Sequence, residues 1–251
     1  MRQKWTSAYM FEWTPILTFT RRRLGLLEWF DEHLQPVAFV EDPKQIGIAI
    51  VSPGLRLRVD RDSMIITSAA TEPSIDLLEP AIEGVIEILQ PKDMTETFCT
   101  SLWTHSLEGQ SYNEARAKFA VRMSGITAES HGYRPIDGSA LMDIESTECT
   151  GQVEWGVVER PELAKRMKLT EMSRTSGASS RPAGRANEED LPEVALLVDV
   201  DLRRRLGGAV GDAGAVLAAV RRADTAAEKF VEALYPRFTN EGGRDEFAEA
   251  Q

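Results

Sequence analysis

The chain is poor in cysteine and histidine, has no surplus of positive charge and no long apolar run, and each shortage removes a class of protein. Its two cysteines, Cys99 and Cys149, stand far apart and belong to no C-x-x-C pair, which points to buried thiols rather than a disulfide or a zinc knuckle. Histidine is limited to His33, His105 and His131. His105 shares a strand side with Cys99 and Ser101, but neither a G-x-S-x-G elbow nor a papain-like cysteine context frames a nucleophile there. Against 29 basic residues stand 40 acidic ones, a net charge of −11. Nucleic-acid affinity comes mostly from cations neutralising phosphates, so direct nucleic-acid binding is not expected. No segment approaches the roughly 20 apolar residues of a membrane span. The start, MRQKWTSAYMFEW, has neither an apolar h-region nor a cleavage site, so the expected address is the cytoplasm.

What is present is enough apolar residue, 42% of the total of 251, for a substantial core, patterned in a way that suggests one plan used twice. Residues 9–20 read as a strand and 22–34 as an amphipathic helix. Three short strands follow at 45–51, 55–60 and 63–68, with turns at Ser52-Pro53-Gly54 and Asp60-Arg61-Asp62. A helix over 74–89 closes this half, with Ile75, Leu78, Ile82, Val85, Ile86 and Leu89 on one side and a ridge of Glu79, Glu83 and Glu87 on the other. The second half repeats the order. A strand over 95–107, a helix over 111–123, a hairpin of 139–146 and 151–159, a strand over 194–203 and a helix over 213–235 make it up.

The expected class is therefore α+β: two similar β-α-β-β-β-α halves, residues 1–92 and 93–240, each an antiparallel sheet covered by helices. The halves can share one curved sheet, an order similar to the duplicated TATA-binding and helix-grip folds. Residues 171–190, EMSRTSGASSRPAGRANEED, hold almost no large apolar side chain and read as a flexible insertion, and residues 241–251 as a mobile tail. In the last helix Val216, Val220, Ala223, Ala227, Phe230 and Leu234 form the packing stripe. Arg221, Arg222, Asp224, Glu228, Lys229 and Glu232 are expected to point away, and Asp212 to cap the N-terminus.

The chemistry-bearing pattern lies in LPEVALLVDVDLRRR. On a strand, Leu196, Val198, Val200 and Leu202 share one face while Leu197, Asp199 and Asp201 share the other. On the hairpin Met142 and Ile144 point one way and Asp143 and Glu145 the other, with Glu154 able to join them. If these strands are neighbours, five carboxylates meet on one face. Asp143, Glu145, Asp199 and Asp201 are then candidate oxygen ligands for Mg²⁺ or Mn²⁺, and equally the polar side of an antiparallel sheet. Arg56 and Arg58 in GLRLRVD give the first half a basic complement, either a charge lattice with those carboxylates or the far end of a polar pocket. The triplets at residues 21–23 and 203–205 read as solvated strand ends, with phosphate contact as the alternative. Gly207, Gly208 and Gly211 match neither phosphate-loop spacing.

Leu197, Asp199, Val200 and Asp201, followed by Glu228, Phe230 and Leu234, resemble the C-terminal signature of a sporadically distributed, functionally uncharacterised bacterial family of about this length. Its members end in a Leu-Asp-x-Asp strand and a long helix carrying an aromatic residue. The resemblance covers the last quarter of the chain. It implies an α+β fold and supplies no activity and no catalytic residue.

The leading functional expectation is a non-catalytic cytoplasmic protein that binds a protein partner or a small polar ligand across its sheet face, through Arg56, Arg58, Asp199 and Asp201. One alternative is a divalent-metal enzyme acting on a phosphate-type anion, with the four carboxylates as ligands and Arg56 or Arg58 holding the anion. The other is an acidic inhibitor occupying a nucleic-acid-binding surface, carried by the net charge and the glutamate ridge.

Overall fold

Leu55, Leu57 and Val59 alternate with Arg56, Arg58 and Asp60, and a strand turns that alternation into a buried side and a half-buried side. The same rule builds a nine-stranded sheet in the structure, a computed structural model that describes residues 2–36, 38–41, 44–50, 55–68, 75–94, 96–124, 138–145, 149–174, 188–205 and 212–235. In chain order the elements are β1 (Arg2–Glu12), α1 (Phe19–Leu34), β2 (Ala38–Glu41), β3 (Gln45–Ile50), β4 (Leu55–Asp60), β5 (Ser63–Ser68) and α2 (Ile75–Gly84), which widens into a π-helical turn over Val85–Leu89. Then come β6 (Glu96–Ser106), α3 (Tyr112–Ser124), β7 (Ser139–Glu145), β8 (Thr150–Glu159), α4 (Arg160–Arg174), β9 (Val194–Arg205) and α5 (Ala213–Leu234).

The strand order is β2-β3-β4-β5-β1-β6-β9-β8-β7, with every neighbour antiparallel. The protein is thus α+β, and its two halves share one sheet joined at the β1–β6 pair. The halves are not equivalent element for element. The first has an added edge strand, β2, and the second an added helix, α4. One sheet face carries the main core: Tyr9, Phe11, Ile66, Leu57, Val153 and Val200 meet α1, α2, α3 and α5 there. The other face holds a smaller cluster, where Leu163 and Ala164 of α4 and Leu191 cover Trp5, Leu102, Val158, Ala195 and Leu197. No described helix is long and apolar enough to cross a membrane.

Several expectations are corrected. The first strand runs Arg2–Glu12 rather than 9–20, because Thr14-Pro15 breaks it and Phe19 already begins α1. Arg21, Arg22 and Arg23 therefore lie on a helix. Arg22 donates to the carbonyl of Leu89 at 2.6 Å, and Arg23 pairs with Glu41 at 3.2 Å. Cys99 is buried, whereas Cys149 is only half-buried; both are free thiols. Residues 160–174 form α4, with Pro161 in the first turn where its missing N–H costs nothing, so the segment read as a flexible insertion begins as helix. Its stretch 175–187, like Ser52-Pro53-Gly54, His131, Gly207, Gly208, Gly211 and the tail, lies outside the described residues. Asp212 does cap α5, accepting from the Gly214 N–H at 2.9 Å.

Two close contacts fix the helix layer. Trp29 of α1 lies against Gly84 of α2, where any Cβ would strike the indole ring, and its Nε1–H donates to the carbonyl of Pro80 at 3.0 Å. Ser111 and Glu114 open α3 with a reciprocal capping box: the Glu114 carboxylate accepts from the Ser111 N–H at 3.1 Å and hydroxyl at 2.8 Å. Those bonds hold the Glu114 carboxyl below the ordinary range.

Candidate functional site

Strand register decides which polar side chains become neighbours. Asp143 of β7 faces Gln152 of β8, Gln152 faces Asp201 of β9, and Asp201 faces Thr100 of β6. The row continues through Ala8 and Thr67 to Arg56 of β4. Along the next row Leu141 faces Glu154, and Glu154 faces Asp199. Asp143, Glu145, Glu154, Asp199 and Asp201 therefore stand on one face of three adjacent strands, the face opposite the main core. Asp143 and Glu145 are exposed, while Glu154, Asp199 and Asp201 are half-buried.

Sharing a face is not convergence. Gln152 occupies the position between Asp143 and Asp201 and donates from Nε2 to Asp143 Oδ1 at 2.9 Å, so a neutral amide separates the two carboxylates. Asp199 and Asp201 are each engaged by other groups. Among the described residues no three His, Cys, Asp or Glu side chains come close enough to hold a metal ion. Among the described residues the carboxylates expected as Mg²⁺ or Mn²⁺ ligands, Asp143, Glu145, Asp199 and Asp201, are not drawn into one cluster. Arg56 and Asp201 lie in one row but four strand spacings apart, about 19 Å at the usual interstrand distance. Arg58 pairs with Asp60 of its own strand at 3.2 Å. The basic and acidic patches are consequently separate places on one face, not two ends of one small pocket.

Helix α4 adds what the sequence did not announce. Arg166 donates from Nη1 to Glu154 Oε1 at 2.9 Å and from Nε to Glu162 Oε1 at 3.3 Å. Burial works against its charge, but the two carboxylates more than offset that and hold the guanidinium above its ordinary pKa. A cleft of about 350 Å³ opens beside this clasp, lined by Tyr112, Ser139, Glu154, Gly156, Glu162 and Arg166 among others. The readable signal was Pro161-Glu162 as a helix start with Glu162 and Arg166 four apart.

The polar side of α5 was misjudged at one residue. Asp224 is half-buried against β1, whereas Glu228 and Glu232 stay exposed as expected while reaching back to Arg2 of that strand. Asp224 Oδ1 accepts from Lys4 Nζ at 2.5 Å and from the Tyr9 hydroxyl at 3.1 Å, and Arg2 reaches Glu232 at 3.1 Å. Both cations flank the Trp103 ring, with Lys4 Nζ at 5.1 Å and Arg2 Cζ at 5.5 Å from its centroid. Burial, then the charge of Asp224, pushes the Tyr9 hydroxyl far above its ordinary pKa. At the edge of this cluster His105 packs on Tyr235 with ring centroids 3.8 Å apart, and burial lowers its pKa to about 4. Trp103 Nε1–H donates to Ser101 Oγ at 2.9 Å, so this hydroxyl is a structural acceptor. The cluster ties α5 to the centre of the sheet.

No protein-family model matches the chain, and no curated protein matches it significantly.

Proposed function

We propose that the chain is a non-catalytic binding protein that takes a basic protein segment on the β7-β8-β9 part of its acidic sheet face. The observation that carries this reading is the set of five carboxylates on three adjacent strands, with Asp143 and Glu145 exposed. Carboxylates held by an amide or a guanidinium are suited to steering and registering a cationic partner, which is where interface charge acts most strongly. They are not arranged as a nucleophile and its base. Two free thiols in the chain fit a reducing compartment, and the reading places the protein in the cytoplasm.

The test is fluorescence anisotropy of a labelled lysine- and arginine-rich peptide titrated with the protein. Binding is expected to weaken as the Debye length shrinks from about 30 Å at 0.01 M salt to about 8 Å at 0.15 M. An Asp143→Asn, Glu145→Gln double variant should lose about tenfold in affinity, or about 1.4 kcal/mol. Binding that ignores both salt and the variant rejects the reading.

A further inference from the structure

Strand β7 ends the sheet on one side, and of the protections that an edge strand's own residues can supply it carries only charge, in Asp143 and Glu145. It is seven residues long, SALMDIE, with no proline and no lysine, and its register against β8 runs without a bulge. Leu141 is 65% exposed and Met142 37%. The opposite edge, β2, has only four residues. A long, regular edge with apolar side chains is a template for another strand, because every second residue turns an N–H and a C=O outward.

We infer that β7 pairs antiparallel with β7 of a second copy of this chain, about a twofold axis normal to the sheet at Met142, joining two sheets into one. Charge and side-chain pattern select this occupant and this register. Centred on Met142, the pairing uses all seven residues of the strand. Met142 meets Met142 of the second copy, and Ala140 meets Ile144 in both directions. Ala140 and Ile144 already pack against the main core from the helix side of the sheet, so the new contact extends an apolar layer that exists. On the other side Leu141 meets Asp143, and Ser139 meets Glu145. Neither carboxylate faces a carboxylate, which would be unfavourable directly across a strand pair. A shift that centres the axis on Asp143 puts that charge opposite itself, and a shift to Leu141 pairs residues 139–143 alone. The pairing is isologous, so it closes at two copies and does not propagate. It also sets two acidic faces side by side, but it does not depend on what those faces bind.

Sedimentation velocity over a concentration series tests the pairing on the full chain. The expected species at tens of micromolar has twice the mass of one chain, and the dimer fraction grows with salt, since both copies carry a net charge of −11 that salt screens. Met142→Asp should yield monomer that still unfolds in one cooperative transition, with a melting temperature that no longer depends on concentration. In a Cys149→Ser background, Met142→Cys should cross-link to itself under mild oxidation, whereas Leu141→Cys, which faces position 143, should not. A chain that stays monomeric at every concentration and salt overturns the proposal. So does a dimer that survives Met142→Asp, or an open-ended oligomer, which would mean β7 pairs with β2. A monomer whose β7 captures a basic extended peptide, weakening with salt, overturns it in favour of a foreign strand.

Discussion

Lys4 and Asp224 are 220 residues apart in the chain, and their charged atoms are 2.5 Å apart. Lys4 is almost fully buried at 6% exposure while Asp224 keeps 25%, so the lysine depends on the aspartate more than the reverse. Removing one partner of such a pair strands a buried charge. Asp224→Asn, which can still accept from Tyr9, should cost about 3 kcal/mol in urea unfolding. Lys4→Met leaves only a partly hydrated carboxylate and should cost about 1 kcal/mol. Equal costs would mean that the pair is not asymmetric in this way.

His105 gives stability a pH dependence of known sign. Its folded pKa is lowered from 6.5 to about 4, so between those values the unfolded chain binds more protons than the folded one. Stability then rises with pH across that window and falls as the solution is acidified through it. Because the ring is only half-buried, solvent screening holds the effect to about 1 kcal/mol. His105→Gln should flatten the melting-temperature profile between those pH values; an unchanged slope would assign the dependence to other groups.

Gly84→Ala should destabilise the protein by about 2 kcal/mol, the usual cost of forcing a methyl into filled space. The added Cβ meets the Trp29 indole and breaks its bond to the Pro80 carbonyl. In a Trp29→Leu background the same substitution should cost much less, and the two changes should be strongly non-additive. Additive costs would place the strain elsewhere.

The fold was readable wherever one period dominated. The alternation of β4 follows directly from side-chain spacing and stands as read; in α5 Val216, Val220, Ala223, Ala227 and Leu234 are buried as read, while Phe230 is only partly buried and Val231 takes a core place beside it. The parity of Asp199 and Asp201 against Val198 and Val200 was equally legible, since a strand allows only two faces. Two features concealed the rest. Charge in the opening residues disguised β1, because Lys4 enters the core only through a partner far along the chain. A register shift between Lys4 and Thr6 then lets Lys4 face the same layer as Tyr9, which breaks simple alternation. Convergence of the carboxylates was not legible either. Sequence fixed which face they share, but the amide of Gln152 between Asp143 and Asp201 becomes visible only once the register is known.

The strand order carries a consequence for synthesis of the chain. The first half can close its part of the sheet on β1 and β5 before β6 is made, and β6 can then add to β1. The outer edge of β6 must wait for β9, because β7 and β8, made in between, pair with each other, and β8 then pairs with β9 but not with β6. From Ser106 to Val194 a growing chain therefore carries a central strand with one open edge and a separate hairpin. The arrival of β9 between them is the step that joins the β7–β8 hairpin to the rest of the sheet, and a chain stalled or truncated short of it would be an aggregation-prone intermediate.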